Sequence, residues 1–174
     1  MVLSNYGVTL RRLTIDKIEL LRNWRNDPKI SSHMFFREYI TPEMQLKWFN
    51  SIDNDRNYYF IIEYNNEEIG LVNVKNIDKE KNCGEVGMFI YDDKYSNSDV
   101  PFRVSFCHDS FLFDELKLDY TYGYALPDNK RAIQYNKALG AKIETVEDGK
   151  AVLLTFTKES HYGARNKYAR LLVL

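Results

Sequence analysis

Apolar positions early in the chain recur at helical spacing. Ile15, Ile18, Leu21 and Trp24 fall three residues apart with Leu20 between them. The stripe stops at Asn26-Asp27-Pro28, where the proline disfavours helix in the residue before it. Ahead of that helix, residues 8–13 predict a short strand, with Thr14 or Asp16 as the cap. Residues 30–39 (ISSHMFFREY) have no clean period and carry aromatics. Thr41 then caps a second helix, with Pro42 in its first turn and Glu43 near its positive end. That helix runs to about Ile52 and places Met44, Trp48, Phe49 and Ile52 on its buried face.

From Asn57 the period changes to that of strands. Residues 58–64, an Asn65-Asn66 turn, residues 68–75 and residues 85–91 predict a meander. Ser98 or Asp99 caps a third helix with Pro101 in its first turn, apolar on most sides from Phe102 to Leu116 and therefore central. Residues 118–126 read as a strand. Pro127-Asp128-Asn129 opens a fourth helix whose Ala132, Ile133, Tyr135 and Leu139 face inward until Gly140. Strands at 141–146 and 151–156 close on an Asp148-Gly149 turn, and the basic tail 158–170 reads as a last helix. The predicted order is β-α-α-β-β-β-α-β-α-β-β, an α/β fold on a mixed sheet.

Composition narrows the class. The 174 residues hold 24 Lys and Arg against 25 Asp and Glu, a net charge of −1, so nothing global draws the chain to nucleic acid or to an anionic membrane. Cys83 and Cys107 are too few for a disulfide scaffold. His33, His108 and His161 are isolated along the chain, without metal-ligand spacing, so no metal site is expected. The N-terminus lacks the basic stretch and apolar run of a signal peptide. A reduced, cytoplasmic protein of one domain, 1–174, is expected.

The segment Asn129-Lys130-Arg131-Ala132-Ile133, followed by Leu139-Gly140, resembles the late helix of the GNAT superfamily of acyl-coenzyme-A-dependent N-acyltransferases, which commonly reads N-x-x-A-I-x-x-x-x-x-L-G. Glu85-Val86-Gly87-Met88-Phe89-Ile90 looks like the family's fourth strand, and the order of elements matches from 8 to 156. Leu21-Arg22-Asn23-Trp24-Arg25-Asn26-Asp27, with Met34, Ile40-Thr41 and Trp48-Phe49, is similar to the acetyltransferases of nucleotide-linked amino sugars, of the pseudaminic-acid pathway type. Ribosomal-protein N-terminal acetyltransferases are near relatives of these.

The resemblance implies a GNAT-type, mostly antiparallel twisted sheet flanked by helices, acetyl-CoA as co-substrate, and a small-molecule amine, on a nucleotide-linked sugar, as acceptor. A homo-oligomer stays open. In the family the fourth strand pairs with the pantetheine arm, which implies Met88, Phe89 and Ile90 here. Glu85, on that strand, is the candidate base, because a carboxylate near the cleft accepts the ammonium proton directly or through water. Arg25, Met34, Phe35 and Trp48 are implied as acceptor contacts, with core packing as the competing role of Met34, Phe35 and Trp48. Asn129 and Arg131 are implied at the coenzyme, Asn129 serving equally well as a helix cap.

Two departures stand out. Many members carry Tyr four residues before the helix-ending glycine; this chain has Asn136, which offers a hydrogen bond to the sulfur but no acidic proton. Tyr135, about 100° around the helix, is read as a packing residue. The family's R/Q-x-x-G-x-G/A turn, whose amides wrap the coenzyme diphosphate, is replaced by Ser96-Asn97-Ser98-Asp99-Val100-Pro101. Ser96, Asn97 and Ser98, helped by Lys94 and Arg103, are the candidates for the missing contacts. The alternatives are a GNAT-fold binding module with a degenerate loop and an N-terminal protein acetyltransferase.

Overall fold

The computed structural model describes residues 1–168. An eight-stranded sheet runs β1 (Val2–Asn5), β2 (Val8–Arg12), β3 (Tyr58–Tyr64), β4 (Glu67–Asp78), β5 (Cys83–Ile90), β6 (Tyr120–Ala125), then β8 (Ala151–Thr157) and β7 (Lys142–Val146) in space. Every neighbouring pair is antiparallel except β5 and β6, which are parallel. The helices are α1 (Ile18–Asn26), α2 (Pro28–Ser31), α3 (Pro42–Ile52), α4 (Asp93–Ser96), α5 (Val100–Ser110), α6 (Lys130–Ala138) and α7 (Lys158–Tyr168).

Alternation along the strands divides the core. Phe60, Ile62, Val72 and Val74 pack on α5 through Val104, Cys107 and Phe111. Ile61 and Leu71 turn the other way, onto Leu21 and Trp24 of α1 and Phe49 of α3. Beyond the parallel pair, Val152, Leu154 and Phe156 of β8 close on Phe106, Leu139 and Ala164. Among the described residues no helix is long and apolar enough to cross a membrane.

The mixed sheet agrees with the sequence pattern, with several local corrections. β1 was not predicted; it pairs with β2 through a two-residue Tyr6-Gly7 turn in which both residues have positive φ. β4 is longer than expected. On α3 it is Gln45, not Met44, that is buried with Phe49, while Met44 is exposed. The predicted third helix is α5 followed by a wide turn over Phe111–Glu115 that bonds Leu116 N–H to the Phe111 carbonyl. Asp99 makes no side-chain cap on α5; the Ser98 hydroxyl accepts from Val100 N–H at 3.1 Å instead. In the tail, Arg165 lies over the Tyr162 ring and Lys167 near the Tyr168 ring, while Arg170 lies outside the described residues.

Candidate active site

β5 and β6 pair only through Cys83, Glu85 and the Gly84 between them, against Tyr120–Tyr122, and then part. Gly123 is at the parting: a Cβ there would stand 2.8 Å from the Val86 carbonyl oxygen, so only glycine lets the strands pass this close. From Val86 onward no strand among the described residues pairs with that edge of β5. The gap opens into a cleft of about 980 Å³. Met88, Phe89 and Ile90 line it, presenting the backbone donors and acceptors that an extended amide-bearing chain would need.

Glu85 lies where the strands separate. Its carboxylate is 2.9 Å from Lys75 Nζ across the β4–β5 register, and its other oxygen accepts from Asn76 Nδ2 at 3.2 Å. It is therefore both an ion-pair partner and a cleft residue, and its orientation is fixed by two neighbours. The floor beside it is polar, with Tyr59 of β3 opposite Asn73 of β4, and Asn73 opposite Gly87 of β5. Burial pushes the Tyr59 hydroxyl up to about 12, with nearby Arg25 acting in the opposite sense. It stays protonated at neutral pH and can only donate or accept a hydrogen bond.

Most of the segment Leu21 to Asp27 is structural, and Arg25 is turned to the cleft. Asn26 grips both backbone groups of Ile40, with its Oδ1 accepting at 2.8 Å and its Nδ2 donating at 2.9 Å. Arg22 donates to the same carbonyl at 3.2 Å. Asp27 caps α2 and accepts from Tyr91 Oη at 2.9 Å, contacts that hold its carboxyl below the usual range. Trp24 is in the core, stacked on Tyr91. Arg25 instead lines the cleft, with burial drawing its pKa downward, and it meets no carboxylate among the described residues. Met34 and Phe35, on the loop that Asn26 staples, also line the cleft, as does Trp48, edge-on to Tyr59 with ring centroids 5.0 Å apart.

At the other end, Ser96, Asn129, Arg131 and Asn136 line the cleft. Asn129 is also a helix cap, its Oδ1 accepting from Ala132 N–H at 3.0 Å. Asn136 Nδ2 donates to the Ala132 carbonyl at 2.7 Å. The Arg131 guanidinium donates to the Ser96 carbonyl. Asn97 and Ser98 do not line the cleft; their side chains bond the carbonyls of Asp93 and Tyr95. Lys94 and Arg103 are likewise engaged, the first on Tyr95 Oη at 3.0 Å, the second on Asp99 at 2.8 Å and on the Tyr6 carbonyl at 3.0 Å. The residues present thus fit a pantetheine arm along β5 and do not fit the glycine-amide cradle for a diphosphate. Tyr135 Oη lies 2.7 Å from Ser105 Oγ and donates to the Pro101 carbonyl at 2.8 Å, the packing role expected of it.

Several cleft residues escaped the sequence reading. Asn73 had a visible signal, as a lone amide inside the apolar run Leu71 to Val74. Lys75 and Tyr59 look like ordinary strand residues until the register places them. The histidines, isolated along the chain, are not all isolated in space: His161 Nδ1 lies 2.6 Å from Asp109 Oδ2 at the deep end of the cleft, with buried His108 beside them. Among the described residues no cluster of His, Cys, Asp and Glu could hold a metal ion.

Comparison with known proteins agrees with this architecture. The chain is 28% identical over 123 residues to acetyltransferase PseH of Campylobacter jejuni, covering 70% of this chain and 74% of PseH. Its fold superposes on FdhC, described as a nucleotide-linked sugar GNAT, with a TM-score of 0.81 at 18% identity, covering 99% of each chain. It superposes on spermidine N-acetyltransferase from Vibrio cholerae, solved with CoA and spermine, with a TM-score of 0.80 at 20% identity, covering 91% of this chain and 99% of the other. The acetyltransferase (GNAT) domain model matches residues 8–142. The chain belongs to the GNAT family of acetyltransferases, enzymes that use acetyl-CoA.

Proposed function

We propose that this acetyltransferase acts on the primary amine of a nucleotide-linked amino sugar. The observation that carries the reading is Arg25, a partly buried guanidinium in the cleft with no counter-ion among the described residues. A desolvated cation without a partner favours a ligand that brings the anion, and a nucleotide-linked sugar brings a diphosphate. Lys29, whose ammonium lies 3.7 Å from the Tyr91 ring centroid, also lines the cleft. Beside Arg25 and Lys29 a polyamine ammonium would face like charge, which disfavours it there. The likeness to PseH and to FdhC supports the same acceptor class.

In this reading Glu85 accepts the proton of the incoming ammonium, directly or through one water, with Lys75 and Asn76 holding its carboxylate in place. The unpaired edge of β5 at Met88–Ile90 orients the donor's amide-bearing arm, and a backbone N–H there polarises the thioester oxygen. Asn136 offers an amide N–H near the departing sulfur and no proton. Phe35 and Trp48 give the acceptor end an apolar wall.

The test is thiol release from acetyl-CoA by the purified chain with amino-sugar nucleotides, the same amino sugars without the nucleotide, polyamines and peptides with free N-termini. Turnover at least tenfold faster with the amino-sugar nucleotide is expected. Turnover confined to peptides would replace this acceptor with a protein N-terminus, and equal rates with and without the nucleotide would remove the role given to Arg25.

A further inference from the structure

The segment that in the family surrounds the coenzyme diphosphate has most of its backbone donors already committed, Asp99 N–H excepted. Lys94 N–H goes to Asp92 Oδ1 at 2.9 Å. Tyr95 and Ser96 donate to the Asp92 carbonyl, and Asn97 and Ser98 to the Tyr95 carbonyl. Val100 donates to Ser98 Oγ at 3.1 Å, and Phe102 and Arg103 donate to the Asp99 carbonyl at 3.0 and 3.2 Å. Pro101 has no N–H. Asp99 adds a carboxylate that Arg103 holds at 2.8 Å. An anion that sought the start of α5 would have to break these bonds and approach a negative charge.

The side chains around the segment are unequal. Lys94 is tied to Tyr95, whose hydroxyl donates to Glu67 at 2.7 Å, and Arg103 is tied to Asp99. Arg131, at the start of α6, is bound differently. It reaches across the cleft to the carbonyl of Ser96, a neutral acceptor, and meets no carboxylate among the described residues. Exchanging a neutral carbonyl for a phosphate gives a guanidinium a stronger, charge-assisted and bidentate partner without opening the loop.

We infer that in this chain the diphosphate of acetyl-CoA is held by the Arg131 guanidinium, released from Ser96, in place of the loop amides. The inference rests on acetyl-CoA being the donor. Recognition by one exposed side-chain cation has two consequences that a cradle of amides does not share: it is weakened by salt, and it is lost on a single substitution.

The experiment is calorimetric titration of the wild-type chain, Arg131→Gln and Arg131→Lys with CoA, dephospho-CoA and pantetheine. Arg131→Gln is expected to weaken CoA and dephospho-CoA tenfold or more and to leave pantetheine within twofold, with Arg131→Lys in between. Equal CoA binding by wild type and Arg131→Gln overturns the inference. So does an equal loss with pantetheine, which would mean that Arg131 acts only on the shape of the cleft. A loss seen with CoA but not with dephospho-CoA assigns Arg131 to the 3′-phosphate and overturns it too. Failure of the wild type to bind CoA at all would overturn the donor itself, an outcome distinguishable from the other three.

Discussion

Lys75 and Glu85 face each other across the β4–β5 register, with the ammonium 2.9 Å from the carboxylate, at the point where β5 loses its other neighbour. The pair fixes the carboxylate at the mouth of the gap between strands. Glu85→Gln keeps the shape and a contact for Asn76 but removes the proton acceptor. The turnover number is expected to fall about 10²- to 10⁴-fold, with CoA binding by calorimetry unchanged. An unaltered turnover number would leave Glu85 with its ion pair alone.

Arg25→Met removes the guanidinium but keeps much of the apolar stem. A charge-assisted hydrogen bond contributes about 1.5–3 kcal/mol, so KM for the acceptor is expected to rise roughly 10- to 150-fold, with KM for acetyl-CoA unchanged. The melting temperature is expected to hold or rise, because a desolvated cation without a counter-ion opposes folding. Steady-state kinetics beside a thermal melt separates the two effects.

His108 gives a stability that depends on pH. It is buried, stacked near Phe111 and edge-on to Phe60, its Nε2 has no hydrogen-bond partner among the described residues, and burial holds its pKa down at about 3. The native state therefore keeps it neutral where the unfolded chain protonates it. Its contribution is complete above the unfolded value near 6.5 and is lost as pH falls toward 3, amounting to about 1.4 kcal/mol of lost stability by pH 5.5. Asp109, whose carboxyl burial raises, acts with the opposite sign. Denaturant titrations at pH 7.5 and 5.5 on wild type and His108→Leu isolate the histidine: the pH-dependent loss should shrink by about that amount in the variant.

At Gly70 the backbone of β5 lies directly against β4. A Cβ there would lie 2.2 Å from the Phe89 carbonyl oxygen, a backbone atom that cannot turn aside. Gly70→Ala is expected to cost about 1–3 kcal/mol or more, and to weaken CoA binding as well, since Phe89 and Ile90 line the cleft. A denaturation midpoint equal to wild type would show that β5 shifts freely.

Much of the fold could be read along the chain because each level of the pattern agreed. The turns Asn65-Asn66 and Asp148-Gly149 do have the positive φ values that tight hairpins require. β1 escaped because four residues with mostly exposed side chains carry almost no periodic signal. The cleft lining was legible where a motif sits on one element, as with Arg25 and Asn129. It was not legible where the site is made by register, which brings Tyr59, Asn73 and Lys75 beside Glu85, or by the return of a distant helix, which brings His161 to Asp109. The loop at residues 96–98 shows the same limit. Only a count of hydrogen bonds tells that Asn97 and Ser98 serve their own turn while Arg131 reaches over it.

An open strand edge on the outside of a protein invites other chains to add themselves to it. Here the open edge of β5 lies inside the molecule, in the slot left where β6 diverges past Gly123. A slot of that kind selects by cross-section. A folded neighbour cannot bring a strand to it, whereas a single extended chain no thicker than a backbone can slide in and complete the ladder. The unpaired edge thus offers its hydrogen-bonding groups along the cleft, to a slender ligand rather than to a neighbouring sheet.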